Sequence, residues 1–399
     1  MTRTNKKNIC FLISNLSGGG AQRVVSTLSR MLFSHYNLFI ILHDAKKIAY
    51  DYQGSIVDLN TPVPKNVFLK AFNFILRIYR LKRIKRKLKP AAVVSYMEGS
   101  NFINLVSGNT GKTIISVRNY QSKLGKGYLG KLNKFLIRKL YRKSNLIIAV
   151  SDGVKADLVD NFQLDEGKIN VINNPYDLEY INKKALEPLE EQYSSFFKYQ
   201  VIVTAGSLMR QKGQWHLIRA FNAARKEIPE MKLVILGEGG LKSYFQQLIE
   251  ELNMTDDVLM PGYKSNPFKF MTRSTAFILP SLFEGFPNVL LEAMTLGIPV
   301  IAADCPSGPR EILAPDTNCT NQAIDLEYAS YGLLVPVCDG TYYRSSDPLT
   351  REEEIMGRAI ITLHQDRELL ERYTLKSKQR AEYFEAGRIA RQWVELIEG

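Results

Sequence analysis

The chain contains no apolar run approaching the ~18 residues that a membrane-crossing helix requires, which disfavours an integral membrane protein. Its opening residues, MTRTNKKN, lack the apolar block of a secretory signal, so a cytosolic location is expected. Cysteine is scarce. Cys10, Cys305, Cys319 and Cys338 form no close pair, which argues against a disulfide framework and predicts reduced thiols in core or loop positions. The histidines His35, His43, His216 and His364 are too scattered for a metal site, and no metal or other cofactor is expected. Short-period repeats and low-complexity segments are also missing.

Acidic residues are depleted in one half only. Residues 1–175 hold 29 Lys and Arg against 9 Asp and Glu, while the remainder holds 24 against 31. Such asymmetry argues that the amino-terminal half meets a polyanion or an anionic membrane. What the chain does have is length and apolar content, 399 residues at 45% hydrophobic, enough for about two domains with ordinary cores.

Taken in order, Asn8 to Ser14 predicts a buried strand, followed by Gly18, Gly19 and Gly20 and a helix from Ala21 to about Phe33. Strand, glycine turn and helix place backbone amides at the mouth of a parallel sheet. The glycines lack the G-x-G-x-x-G spacing, which disfavours a dinucleotide cofactor. Leu38 to Leu42 and Ile56 to Leu59 continue the sheet. Val67 to Lys89 then combines an apolar stripe of Phe68, Phe72, Ile75, Leu76, Ile78 and Tyr79 with Arg77, Arg80, Lys82, Arg83, Lys85, Arg86, Lys87 and Lys89. Two readings fit, an interfacial helix on anionic lipid and a core-packed helix with a solvated basic face. Lys123 to Lys143 is a second basic stretch of the same kind.

Ala91 to Tyr96 and Lys112 to Val117 read as strands whose carboxyl ends present Glu98 and Arg118. Arg118 suits a phosphate or an acceptor group, or a structural role. Asn145 to Val150 and Ile169 to Ile172 complete a first domain over 1–175, and the polar segment 176–199 reads as a linker. A second domain over 200–380 opens with the strand Val201 to Ala205 and the turn GSLMRQKG, carrying Arg210 and Lys212. The strand Met231 to Leu236 leads into Gly237 and Glu238, and Tyr263 follows the strand Val258 to Met260. Residues 381–399 form a final helix.

The stretch around which the rest is organised is SLFEGFPNVLLEAMTLG, Ser281 to Gly297. It reads as a loop carrying Glu284 that enters a helix carrying Glu292, with Asn288 as cap and Gly297 as the left-handed closing residue. The helix start, with the amides of Asn288, Val289 and Leu290, is an anion site. Carboxylates on either side of it suit a ligand with both phosphates and hydroxyls, such as a nucleotide sugar.

Glu284 to Glu292, E-G-F-P-N-V-L-L-E, resembles the E-x7-E signature of retaining glycosyltransferases of glycosyltransferase family 4. TAGSLMRQKG, LGEGG, PGYKSN, GIPVIAADCPSGPREIL and SGGGAQR resemble the family's other blocks in the family's own order. The resemblance implies an α/β chain of GT-B fold, with two Rossmann-like parallel-sheet domains facing a central cleft and the final helix returning to the first domain. It implies that Glu292 takes the ribose hydroxyls and Glu284 the donor-sugar hydroxyls. Arg210, Lys212 and the Asn288–Leu290 amides would hold the departing diphosphate, and Gly18, Gly19 and Gly20 would face donor and acceptor. Gly237, Glu238 and Tyr263 would lie near the base, and Glu98 and Arg118 on the acceptor side, although S-V-R-N departs from the His found near this place in many relatives. The expected activity is transfer of a hexose or N-acetylhexosamine from a nucleotide sugar, a UDP-sugar by expectation, to a polyprenyl-diphosphate-linked saccharide. That activity belongs to lipopolysaccharide, O-antigen, capsule or exopolysaccharide assembly, at the inner face of the cytoplasmic membrane and without nucleic acid. A nucleotide-sugar 2-epimerase of the same fold is the alternative, and a non-enzymatic basic lipid or nucleic-acid module a more distant one.

Overall fold

Short runs of Val, Ile, Leu and Phe form fourteen strands among the described residues of the computed structural model, which are 6–62, 66–125 and 127–399. The side chains of Val67, Tyr128 and Leu129 are not described, and the first five residues of the opening stretch and Lys126 of the second basic stretch lie outside the described residues. The chain divides into two units, 1–176 with 384–399, and 177–383.

In the first unit β1 (Asn8–Ile13), β2 (Asn37–Leu42), β3 (Ser55–Asp58), β4 (Ala92–Tyr96), β5 (Lys112–Val117), β6 (Leu146–Ala149) and β7 (Ile169–Val171) assemble in the order β3-β2-β1-β4-β5-β6-β7, all parallel. A parallel sheet is covered on both faces, so its strands are apolar at successive positions rather than alternate ones. β1 shows the consequence. Ile9, Phe11 and Ile13 pack with the helices Gly20–Leu32 and Ala386–Glu398, whereas Cys10 and Leu12 pack on the other face with Leu81 and Ile103. Trp393 and Ile397 of the last helix are buried in this first core.

In the second unit β8 (Gln200–Ala205), β9 (Met231–Leu236), β10 (Val258–Gly262), β11 (Ala276–Leu279), β12 (Val300–Ala303), β13 (Glu327–Ala329) and β14 (Gly332–Val335) take the order β10-β9-β8-β11-β12-β14-β13. The β13–β14 pair is antiparallel and the rest are parallel. In each sheet the order reverses beside its first strand, between β1 and β4 and between β8 and β11. Loops leaving such a reversal diverge and open a crevice at the carboxyl edge.

Residues 177–199, nearly all of the segment read as a linker, include the helix Leu178–Ala185 and group with the second unit. Asn266 Nδ2 donates to the Lys184 carbonyl at 2.8 Å, Lys269 pairs with Glu190 at 3.0 Å, and the Tyr193 and Phe270 rings meet at 5.4 Å. Lys85 is not a surface cation. It lies buried on the inner stripe of the helix Val67–Leu88 and donates to the carbonyls of Asn104 at 3.0 Å and Gly108 at 2.9 Å. Burial pulls its pKa down to about 8. Four residues of the expected apolar stripe face outward: Phe68, Phe72, Ile75 and Tyr79 are 85%, 60%, 66% and 58% exposed.

A buried charged cluster braces the second unit. Glu353 accepts from His216 Nδ1 at 2.7 Å and from Arg219 Nε at 3.0 Å, and Arg219 also donates to the Pro348 carbonyl at 2.7 Å. Removing one member strands the others without partners in a low dielectric. Glu353→Ala is therefore expected to lower the stability of this unit by about 3–5 kcal/mol, read by denaturant unfolding. A loss below about 1 kcal/mol would show that the cluster does not brace the loop it touches.

Candidate functional site

At the reversal in the second sheet, β8 ends at Ala205 and the chain turns through a 3-10 segment, Arg210–Lys212, closed by Gly213 at φ 61°. A Cβ at Gly213 would overlap the Pro280 carbonyl oxygen, so only glycine lets this turn lie against the segment that leaves β11. Two hydrogen bonds then join the segments. Leu282 N donates to the Gln211 carbonyl at 2.8 Å, and Gln211 Nε2 donates to the Phe283 carbonyl at 3.0 Å.

This docking brings Lys212 to Glu284. Nζ lies 2.6 Å from Oε1, and the same oxygen accepts from Ser281 Oγ at 2.6 Å. Glu284 is buried, so its charge is held by one cation and one hydroxyl instead of water. Its charge adds to burial in keeping the neighbouring Cys305 thiol protonated. Arg210 sits in the same turn but is exposed, and its guanidinium rests beside Gly340.

The helix expected after Glu284 is present as Asn288–Thr295, and Glu292 is buried within it. Its N-cap is Pro287, which makes no side-chain capping bond, and Asn288, expected as the cap, is the first helical residue. Proline's fixed φ already suits this entry. The Leu290 amide is committed to the Pro287 carbonyl at 3.1 Å, and Val289 lies beside it in the first turn. Gly297 closes the helix at φ 72°.

Sequence reasoning missed the support behind this loop. Ser307, itself left-handed at φ 70°, donates through Oγ to the Gly285 carbonyl at 2.6 Å. Arg310 holds the following turn, binding Asp304 at 2.6 Å and Glu327 at 2.7 Å. Ser281 was legible as an S-x-x-E pattern; Gly340 carried no signal.

Gly237 and Glu238 follow β9, and Tyr263 follows β10 with its ring largely exposed. Gly237 N donates to the Gly262 carbonyl at 3.0 Å, which brings these three residues to one end of the sheet. The Glu238 carboxylate pairs with Lys242 at 3.1 Å.

In the first unit Gly18 and Gly19 have φ 143° and 114°, and Gly19 caps the helix that begins at Gly20. The Gly19 amide donates to the Tyr50 hydroxyl at 3.1 Å, and Arg23 stacks over the Tyr50 ring at 5.4 Å. Glu98 opens the helix after β4 and accepts from Gln121 Nε2. Arg118, directly after β5, is buried, with Nη1 bonded to Ser116 Oγ at 3.1 Å. Burial pulls its pKa down to about 10, still protonated at neutral pH. His43 bonds Ser100 at 3.3 Å and is held neutral, its pKa pushed down to about 3 by burial and by Arg77.

Two family models match the chain: Glycosyltransferase Family 4 over residues 18–180, and Glycosyl transferases group 1 over residues 187–323. An uncharacterised glycosyltransferase of Methanocaldococcus jannaschii is 34% identical over 84% of this chain and 86% of its own length. The N-acetylgalactosamine-N,N'-diacetylbacillosaminyl-diphospho-undecaprenol 4-alpha-N-acetylgalactosaminyltransferase of Campylobacter jejuni is 32% identical over 97% of this chain and 98% of its own. Among solved structures, Anabaena HepE in complex with UDP and glucose superposes with a TM-score of 0.77 at 16% identity, covering 98% of this chain and 99% of that one. The crystal structure of TarM gives 0.76 at 14% identity, covering 100% of each.

A methyl at Gly340, where φ is 75°, would meet Arg210 Nη2 at 2.9 Å and Leu282 Cδ1 at 2.6 Å. Gly340→Ala is expected to displace Arg210 and, at this left-handed position, to destabilise the second unit by about 1–3 kcal/mol, read by denaturant unfolding. Unchanged stability would show that Gly340 does not confine Arg210.

Proposed function

Since this chain belongs to glycosyltransferase family 4 and has the GT-B fold, it is a glycosyltransferase, and we propose that it moves a hexose or N-acetylhexosamine from a UDP-sugar to a polyprenyl-diphosphate-linked saccharide. The observation that carries this reading is the Lys212–Glu284 pair, with Arg210 in the same turn, at the carboxyl-edge crevice between β8 and β11. That crevice is where open α/β sheets receive ligands. The acceptor class is supported by the diphospho-undecaprenol substrate in the Campylobacter relative's name, and by the lipopolysaccharide 1,6-galactosyltransferase of Escherichia coli, 34% identical over 43% of this chain.

In this reading Glu292 takes the ribose hydroxyls and Glu284 the donor-sugar hydroxyls, with its carboxylate oriented by Lys212 and Ser281. Arg210, Lys212 and the first turn of the helix Asn288–Thr295 stabilise the negative charge that grows on the departing diphosphate. The acceptor oxygen bonds to the anomeric carbon as the anomeric carbon–phosphate oxygen bond breaks. The departing phosphate takes the acceptor proton on the same face, so configuration is retained without a carboxylate nucleophile. Cationic side chains supply the neutralisation that a metal provides elsewhere.

Radiolabelled transfer to lipid-linked saccharide tests this. Lys212→Ala and Glu292→Gln are each expected to lower kcat by about 10²–10³-fold with the fold intact, and EDTA to leave the wild-type rate unchanged. Near-normal turnover in either variant would sink the site assignment. Conversion of the UDP-sugar to its 2-epimer without lipid acceptor would favour the epimerase reading instead.

The enzyme is further read as docking peripherally on the inner face of an anionic membrane. No helix among the described residues is long and apolar enough to cross one. The outward stripe of the helix Val67–Leu88 instead runs from Phe68, Phe72, Ile75 and Tyr79 into the exposed cations Lys82, Arg83, Arg86 and Lys87. Leu132 and Phe135 are exposed on the helix Gly127–Leu140, among Lys131, Arg138 and Lys139. Each basic residue near an anionic surface contributes about 1 kcal/mol. Reversing Lys82, Arg83, Arg86 and Lys87 while sparing buried Lys85 is expected to abolish sedimentation with anionic liposomes at low salt. Unchanged sedimentation would remove the membrane from the proposal.

A further inference from the structure

Three arginines are buried among the described residues, and two of them have their charge matched. Arg219 is bonded to Glu353, and Arg310 to both Asp304 and Glu327. Arg118 differs. It is 9% exposed and has no ion-pair partner among the described residues; Nη1 donates to Ser116 Oγ at 3.1 Å. Its Nη2 is buried with no hydrogen-bond partner. The Tyr96 ring lies 5.8 Å from the guanidinium carbon, and the Tyr96 hydroxyl is likewise buried without a partner.

A buried cation of this kind is unfavourable unless something neutralises it, and a guanidinium is shaped to bind phosphate or carboxylate through paired N–H groups. Its position is equally specific. Arg118 follows the last residue of β5, and Ser116 is in register with Tyr96 at the end of β4, so the free donors lie at the carboxyl edge of the first sheet. The ionisable groups that act on Arg118 are the hydroxyls of Tyr96 and Tyr176, and burial keeps the Tyr96 phenol protonated, so it supplies no counter-charge.

We propose that Arg118 receives an anionic group of a bound substrate, specifically a phosphate of the diphosphate-linked acceptor. This rests on the transferase reading above, which assigns the donor's diphosphate to Arg210 and Lys212 in the other unit. The donor's diphosphate offers Arg118 the same chemistry, so the experiment separates the two sources.

Calorimetry on the full chain uses two probes, UDP alone and inorganic pyrophosphate added at saturating UDP. In Arg118→Gln, pyrophosphate binding is expected to weaken at least about tenfold, with partial recovery in Arg118→Lys, which restores charge without the fork. UDP affinity should stay within about twofold of wild type, because the proposal gives Arg118 no part in holding the donor. Loss of UDP affinity with unchanged pyrophosphate binding would overturn the acceptor assignment in favour of the donor. No change with either probe would overturn the proposal entirely. If UDP fails to bind wild type, the donor reading falls, and a pyrophosphate titration of the unliganded proteins still decides the role of Arg118.

Thermal melting without ligand gives an independent readout. A guanidinium awaiting its anion destabilises the empty protein, so Arg118→Met is expected to melt higher by roughly 2–4 °C. A lower melting temperature would mark Arg118 as a structural residue and overturn the proposal.

Discussion

When a parallel sheet reverses its strand order, two neighbouring strands must send their loops apart, and the backbone groups at that edge lose the partners they have elsewhere. Both units of this chain carry the reversal beside their first strand, and the chemistry-bearing residues gather at it. In the second unit the gap is narrowed by the close approach at Gly213, which lets one loop bring cations and the other a carboxylate. The Lys212–Glu284 pair then depends on two joins between the loops, the backbone bond from Leu282 to Gln211 and the bond from the Gln211 side-chain amide to the Phe283 carbonyl. The side chains meet because the loops are already fastened.

That arrangement has an electrostatic cost and a use. A buried carboxylate is unfavourable unless neutralised, and Lys212 with Ser281 neutralises one oxygen of Glu284. Holding charged groups in place before a ligand arrives avoids reorganisation when charge shifts during a reaction. The surrounding unit is built to hold them. Ser307 buttresses Gly285, Arg310 ties the next turn to Asp304 and Glu327, and the His216–Glu353–Arg219 cluster fastens the loop that reaches Gly340.

Much of the fold was legible in the chain. The strands β4, β5 and β9 lie where apolar runs place them, because buried parallel strands have little alternative. The misreading of Lys85 was avoidable: Leu81, Ile84, Lys85 and Leu88 fall at helical spacing on one face, and two inward carbonyls replace the solvent a lysine would otherwise need. Residues 176–199 look like a linker because their attachments to Asn266, Lys269 and Phe270 lie far along the chain. Gly340 beside Arg210 and the missing counter-ion of Arg118 are facts of three-dimensional neighbourhood that no local pattern encodes.

The helix Ala386–Glu398 covers one face of β1 through Ile389, Trp393 and Ile397. During synthesis those residues leave the ribosome only after the whole of the second unit has been made. The apolar flank of Ile9, Phe11 and Ile13 therefore stays incompletely covered while the rest of the chain is translated, a surface on which a holding chaperone would act. Proteolytic trimming of residues 386–398 would injure the strand laid down first.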